Sequence, residues 1–191
     1  MTIVRIDVRE IERLRAGLIA AGVGFQRSEA ILAQSLNRAG QRSRTAITRK
    51  VVQWTGIRRR GEIFTRIKPV IARPGAMRTG TYVASPHLKV TKGDFGATWN
   101  RSWPGGRHAA WSRRVTAKRS FMVPGRDHLV VRMKGQGRRF KPLWGPNIAR
   151  EIHRHSGEVQ AILTREAIWF RGEAVRRAHV ELMKAKAQYA L

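Results

Sequence analysis

The sequence predicts an α+β fold with N-terminal helices, a small central antiparallel or mixed β-sheet carrying long basic loops, and a long C-terminal amphipathic helix. Three observations predict it. Apolar residues recur at helical spacing near both ends of the chain. Short β-branched runs, punctuated by proline and glycine, occupy the middle. Of the 191 residues, 42% are hydrophobic, enough to bury a real core. One domain is expected over residues 1–191, with helices over 1–56, a β-rich core over 69–143 and helices again over 147–191.

Asp7 opens the first helix, and Glu10 three residues on makes a D-x-x-E form of the capping box. Ile6 and Ile11 take the staple positions across that cap. Val8, Ile11, Leu14 and Leu18 form one apolar stripe, which Gly22 and Gly24 end. Ser28 reads as the cap of a second helix, with Glu29 in its first turn. Leu32, Leu36, Ala39, Ser43, Ala46 and Trp54 share a face whose small central residues let a neighbour approach closely. Arg38, Arg42 and Arg49 line another face, either solvated or turned toward phosphate or a partner. Thr55-Gly56 breaks this helix, and a third short helix is expected over 62–67.

Pro69 and Pro74 mark the change to β structure. Residues 79–84 and 88–90 read as strands on either side of Pro86. A further strand is expected over 94–99, where Phe95, Ala97 and Trp99 alternate onto one face. Residues 101–120 read as a long basic loop, with Pro104-Gly105-Gly106, Trp103, Trp111 and six cationic side chains. The stretch 121–152 then reads as strand, turn, strand, a cationic loop with Gly135, Gly137, Arg138 and Arg139, and a corner bracketed by Pro142 and Pro146 around Trp144. Asn147 caps a helix through Ile148 and Ile152, and Gly157 interrupts it. The last helix starts near Glu158, with Leu163, Ala167, Phe170, Ala174, Ala178, Leu182, Ala185 and Tyr189 on one stripe.

Charge narrows the function classes. The chain has 39 Lys and Arg against 12 Asp and Glu, a formal charge of +27 at pH 7. Self-repulsion on that scale destabilises an isolated compact chain, so a polyanion or acidic protein neighbours are implied. There is no cysteine, which excludes disulfides and thiolate metal sites. No apolar run approaches the roughly 20 residues that span a bilayer, and the first residues lack the apolar region of a secretory signal. Assembly and use in a cytoplasm, or inside a particle built there, is the expectation.

No catalytic constellation is visible. Between residues 30 and 150 the carboxylates are Glu62, Asp94 and Asp127, far apart and in no metal-binding spacing. His153 and His155 are two apart and point to different faces of a helix, unlike an H-E-x-x-H pair. Gly135-x-Gly137 lacks the third glycine and the setting of a dinucleotide loop. There is no zinc-finger spacing and no aromatic run of an RNA-recognition motif. Sequence-independent phosphate contact remains, with Arg58, Arg59, Arg60, Arg113, Arg114, Lys118, Arg119, Arg138 and Arg139 as candidates. Trp99, Trp103 and Trp111 either stack bases or anchor the loop or a subunit interface.

Three ordered segments resemble the phage minor tail protein Z family, which completes tails at the head–tail junction. The first is Leu36-Asn37-Arg38-Ala39, followed by Arg44-Thr45-Ala46-Ile47 and Thr55-Gly56-Ile57-Arg58. The second is Ser120-Phe121-Met122-Val123, and the third runs from Val131-Arg132 through Arg139-Phe140-Lys141-Pro142-Leu143 to Gly145-Pro146-Asn147-Ile148. The resemblance covers about residues 31–152, and Pro142-Leu143 stands where the family has Pro-Ile. It implies a structural virion protein that is not an enzyme, needs no cofactor or metal and forms a ring at the neck. Implied partners are other copies of itself, neighbouring terminator, tube or connector proteins, and genomic DNA in the conduit, with no membrane. Leu36, Ala39, Trp103, Trp111, Trp144 and Phe170 are then candidate oligomer or partner contacts. The alternative is a free-standing, non-specific nucleic-acid-binding protein.

Overall fold

A computed structural model describes residues 8–133 and 139–189 of the chain. The Asp7 cap, its Ile6 staple and the Gly135, Gly137 and Arg138 part of the basic loop lie outside the described residues. The α+β class is as expected. In chain order the elements are α1 (Val8–Ala20), α2 (Phe25–Thr55), α3 (Arg60–Arg66), β1 (Ile67–Val70), β2 (Gly80–Val83), β3 (His87–Lys89), α4 (Lys92–Phe95), β4 (Gly105–His108), a 3-10 turn (Ala110–Ser112), β5 (Val115–Lys118), β6 (Ser120–Met122), β7 (Leu129–Arg132), β8 (Phe140–Pro142), β9 (Trp144–Asn147), α5 (Ile148–Arg154) and α6 (Ser156–Tyr189). Where one central sheet was expected, the described strands form four small ones, ordered β1-β2, β3-β9, β4-β5 and β6-β7-β8.

Two compact units emerge. The first comprises Met1–Ala46, Lys68–Tyr82 and Gly157–Leu191, and the second Ile47–Ile67 and Val83–Ser156.

The first unit is built on helix packing. Ile11 and Leu18 of α1, Leu32, Leu36 and Ala39 of α2, and Phe170, Ala174 and Ala178 of α6 share one core. These parts of the stripes read from the sequence are therefore buried, as helical periodicity requires. Gly40 sits where a Cβ would collide with the Thr79 hydroxyl, so the small residue admits the β1–β2 segment against α2. Ser28 does not cap α2, which begins three residues earlier at Phe25. It is fully buried, and its hydroxyl donates to the Phe25 carbonyl at 2.7 Å. A serine bonding back to the preceding turn serves the helix from within rather than at its cap.

Charge locks the same unit. Glu166 and Glu173 of α6 are 2% and 7% exposed. Arg42 Nε donates to Glu166 at 2.6 Å, and Arg38 Nη1 to Glu173 at 2.8 Å. Arg176 and Arg177 add bonds of 2.9 and 2.8 Å to Glu173. The Arg38–Arg42 face is thus neither a bare solvated face nor a ridge left for phosphate, because it clasps α6. Glu29 is held likewise, by Arg15 at 2.8 Å and the Gly75 N–H at 2.7 Å.

The second unit is β-rich. Val90, fully buried, donates its N–H to Leu143 O and accepts from Leu129 N–H, both at 3.0 Å. This ties the end of β3 to the chain on either side of β7 and β8. Phe95, Leu88, Leu129, Val130 and Ile148 are fully buried around it. Where a strand was expected over 94–99, the single turn α4 ends at Phe95, and Thr98 alone makes an isolated bridge, to Arg107. Thr91 Oγ1 accepts from the Asp94 N–H at 2.9 Å, and Gly96 ends the turn at φ 58°. That local capping chemistry overrides the alternation that suggested a strand.

The expected long loop over 101–120 is also different. Most of it is the antiparallel hairpin β4–β5, in register from Gly105↔Lys118 to His108↔Val115. Gly105 and Gly106 look like turn residues but serve close approach. A Cβ on Gly105 would strike the Ala117 carbonyl, and one on Gly106 the Leu129 side chain. Ser120 Oγ closes the strand end by accepting from Gly106 N–H at 3.0 Å and donating to Ala117 O at 2.6 Å. Asn147 caps α5 as expected, its Oδ1 accepting from Arg150 N–H at 3.0 Å.

Two outcomes follow from this packing. Gly105→Ala should lower stability by about 1–3 kcal/mol, as overpacking does, read as a drop in the urea midpoint. The arginines around Glu173 hold its carboxyl down at about 2, from an ordinary value of 4.5. Its stabilisation is full above pH 4.5 and is lost as pH falls toward 2. Glu173→Gln should therefore lower the urea midpoint at pH 6 and narrow its gap to the wild type by pH 2.5.

Candidate nucleic-acid interface

The second unit carries most of the uncompensated charge. It holds 22 of the chain's 39 lysines and arginines but four of its 12 carboxylates. Those four are Glu62, Asp94, Asp127 and Glu151. Glu62 pairs with Arg66 one helical turn on. Asp94 lies in α4 and accepts from the hydroxyl of its cap, Thr91, at 2.8 Å, and Asp127 sits exposed beside His128 at 3.1 Å. No group of three His, Asp or Glu able to hold a metal ion occurs among the described residues.

The sequence candidates fall in separate places within this unit. Arg58, Arg59 and Arg60 join α2 to α3 and are exposed. The Arg58 guanidinium lies over Gly96 and that of Arg59 over Gly93, where any Cβ would displace them. Arg59 Nε stands 4.0 Å from Asp94. Arg113 and Arg114 leave the 3-10 turn, while Lys118 and Arg119 stand at the far end of β5, Arg119 at φ 62°. Arg139 is exposed just before β8. Among the described residues none of Arg113, Arg114, Lys118, Arg119 and Arg139 forms an ion pair.

The candidate contact residues divide as well. Leu36, Ala39 and Phe170 are 1%, 3% and 0% exposed in the core of the first unit. The expectation that they contact a partner is corrected, because their surface is spent within the chain. Trp103 lies under the Arg107 guanidinium at 4.1 Å, anchoring the hairpin. Trp144 is 49% exposed and tilts against His87 at 5.7 Å.

Trp111 belongs to a cleft that the sequence did not disclose. The cleft, about 560 Å³, is lined by Trp54, Trp111, Arg113, Arg150, Glu151, Arg154 and His155 among others. Glu151 is 3% exposed and accepts the Trp111 indole N–H at 3.2 Å, with Arg154 Nη1 at 3.5 Å. His155 stacks on Trp54 with centroids 4.2 Å apart and planes 8° from parallel. The wall between them is strained: Trp111 and Ser112 have φ of 56° and 53°, the left-handed region that non-glycine residues avoid. Gly56 permits this path, since a Cβ there would meet Ser112 N and Ala109 O. Ser112 Oγ donates to Gln53 O at 3.1 Å, and the buried His108 Nδ1 accepts from Ala110 N–H at 3.2 Å. Burial lowers the His108 pKa and favours the neutral ring that can accept this bond.

The cleft brings together Trp111 and Arg113 from the sequence candidates and adds Trp54, Arg150, Glu151, Arg154 and His155. The signal available was the run Glu151-Ile152-His153-Arg154-His155, which invited a metal test rather than a search for a stacked aromatic. His153 is exposed and lines no part of the cleft.

Replacing Glu151 by Leu should leave the Trp111 N–H without its acceptor and cost about 1–3 kcal/mol, read by urea titration. Glu151→Gln, which keeps an acceptor oxygen, should lose less.

No family model, curated protein or solved structure matches the chain.

Proposed function

We propose that the chain is a structural protein of a phage virion, completing the tail at its head-proximal end and helping to form the head–tail neck. It acts there by binding rather than by catalysis, as one of several copies in a ring. The observation that carries this reading is the charge imbalance of the second unit, whose 22 cations face four carboxylates. A surface of that sign finds its neutralising charge in genomic DNA or in acidic neck and tail proteins. The ordered segments that resemble those of tail-completion proteins support the setting. Copies in a ring would multiply the positive potential along a DNA conduit. Among the described residues no helix is long and apolar enough to cross a membrane.

A free-standing nucleic-acid-binding protein is the second reading, favoured by the aromatic and cationic cleft of the second unit. Electron microscopy of particles from a host lacking this gene, beside a complemented control, separates the two. Heads and tails that fail to join are expected. Normal infectious particles would remove the neck role and leave the free binder.

Duplex binding by the purified chain should weaken steeply with salt, by about 0.9 log unit per log unit of salt for each phosphate neutralised. Arg113→Gln with Arg114→Gln should reduce that slope by about one for each side chain that meets a phosphate. A flat salt response would direct the charge to acidic proteins instead.

A further inference from the structure

We infer that the cleft between the β4–β5 turn and α5 binds an unpaired, phosphorylated nucleotide unit of a nucleic-acid strand. The inference deepens the DNA-facing part of the proposed function and concerns a different state of the ligand. A closed duplex offers phosphates alone to a flat cationic face. This cleft offers more.

Its volume of about 560 Å³ falls in the range of small-molecule sites, roughly 300–1,000 Å³, and suits a nucleotide rather than a bare ion. Arg113, Arg150 and Arg154 supply guanidinium groups that match phosphate. Trp111, 37% exposed, presents an indole to the same space, and the Trp54–His155 stack lines it with a second aromatic surface. Cations tracking a backbone beside aromatic faces on which bases stack is the chemistry of single-strand binding.

The indole is also held in place. Its N–H is fixed on the nearly buried Glu151 carboxylate, so orienting the ring costs little when a base arrives. Two successive left-handed residues, Trp111 and Ser112, carry the ring to this position. A fold retains such strain where the surroundings over-determine it, and such positions cluster at binding sites. An acidic peptide would satisfy the arginines but leave the aromatic surfaces without a planar partner.

The test uses the full chain and fluorescence anisotropy of labelled probes at one salt concentration. The probes are oligothymidylate, an abasic strand with the same number of phosphates, and a duplex of equal length. Oligothymidylate should bind on the order of tenfold tighter than the abasic strand. The double substitution Arg113→Gln with Arg150→Gln should weaken oligothymidylate several-fold more than duplex, with far-UV circular dichroism unchanged. Trp111→Phe, which keeps an aromatic face, should retain more of the base-dependent affinity than Trp111→Leu. Equal binding of oligothymidylate and the abasic strand would overturn the inference. So would displacement of oligothymidylate by polyglutamate as effective as by unlabelled strand, which would assign the cleft to acidic protein. Duplex binding that persists with its salt dependence in those cases would leave the DNA-facing role standing and the cleft without a base.

Discussion

Negative charge is the scarce resource in this chain, and where each carboxylate goes decides much of the structure. Twelve carboxylates must serve 39 cations. Among the described residues four are withdrawn from solvent, Glu29, Glu151, Glu166 and Glu173, and each meets at least one arginine. A buried carboxylate without its partner costs about 3–5 kcal/mol, so the pairs of Glu29, Glu166 and Glu173 fix which helix faces meet. Arg38 and Arg42 remain 57% and 50% exposed while their partners are buried. The arginines lay their stems along the protein and keep part of the head in water, which moderates the cost of burying the acid. Arg42 also covers the Trp169 ring at 4.4 Å, joining charge to packing.

The second unit solves a different problem. With few acids available it relies on backbone proximity, and glycine is the means. Gly105 and Gly106 let β4 approach its neighbours, and Gly93 and Gly96 let two guanidinium groups lie flat on α4. Gly56 makes room for the left-handed turn at Trp111 and Ser112. Charge ends up displayed at the surface because little inside this unit can neutralise it.

Periodicity made the helices legible. The α1 stripe, the small-residue face of α2 and the α6 stripe were readable because burial repeats every three to four residues, and the Asn147 cap from the side-chain chemistry of a helix start. The two β features that went astray did so for local reasons. Phe95, Ala97 and Trp99 alternate as a strand would, yet the Thr91 hydroxyl and Gly96 close a helical turn that takes in Phe95 and leaves Ala97 and Trp99 beyond it. Gly105-Gly106 has the composition of a turn, and only the positions of Ala117 and Leu129 reveal that it is a strand packed too tightly for side chains. The Trp111–Glu151 bond joins residues 40 apart, a separation at which no local pattern speaks. The burial of Glu166 and Glu173 was hidden for a related reason, since Arg42 and Arg38, which clasp them from α2, lie far away in sequence.

The two uses of charge answer each other. In the first unit Arg15, Arg38, Arg42, Arg176 and Arg177 pair with acids of the same chain, so their contribution is to cohesion. In the second, Arg113, Arg114, Lys118, Arg119 and Arg139 have no ion-pair partner among the described residues, so their field extends into solvent. Evenly spread acids would have weakened both effects, leaving the helix clasp looser and the basic surface partly quenched. Concentrating acid in one unit and withholding it from the other lets one chain of net charge +27 keep a packed core and still present a strong positive face. Folding then needs no external anion at the helix clasp, while the gain from binding one is concentrated on the second unit, where the repulsion between like charges is greatest.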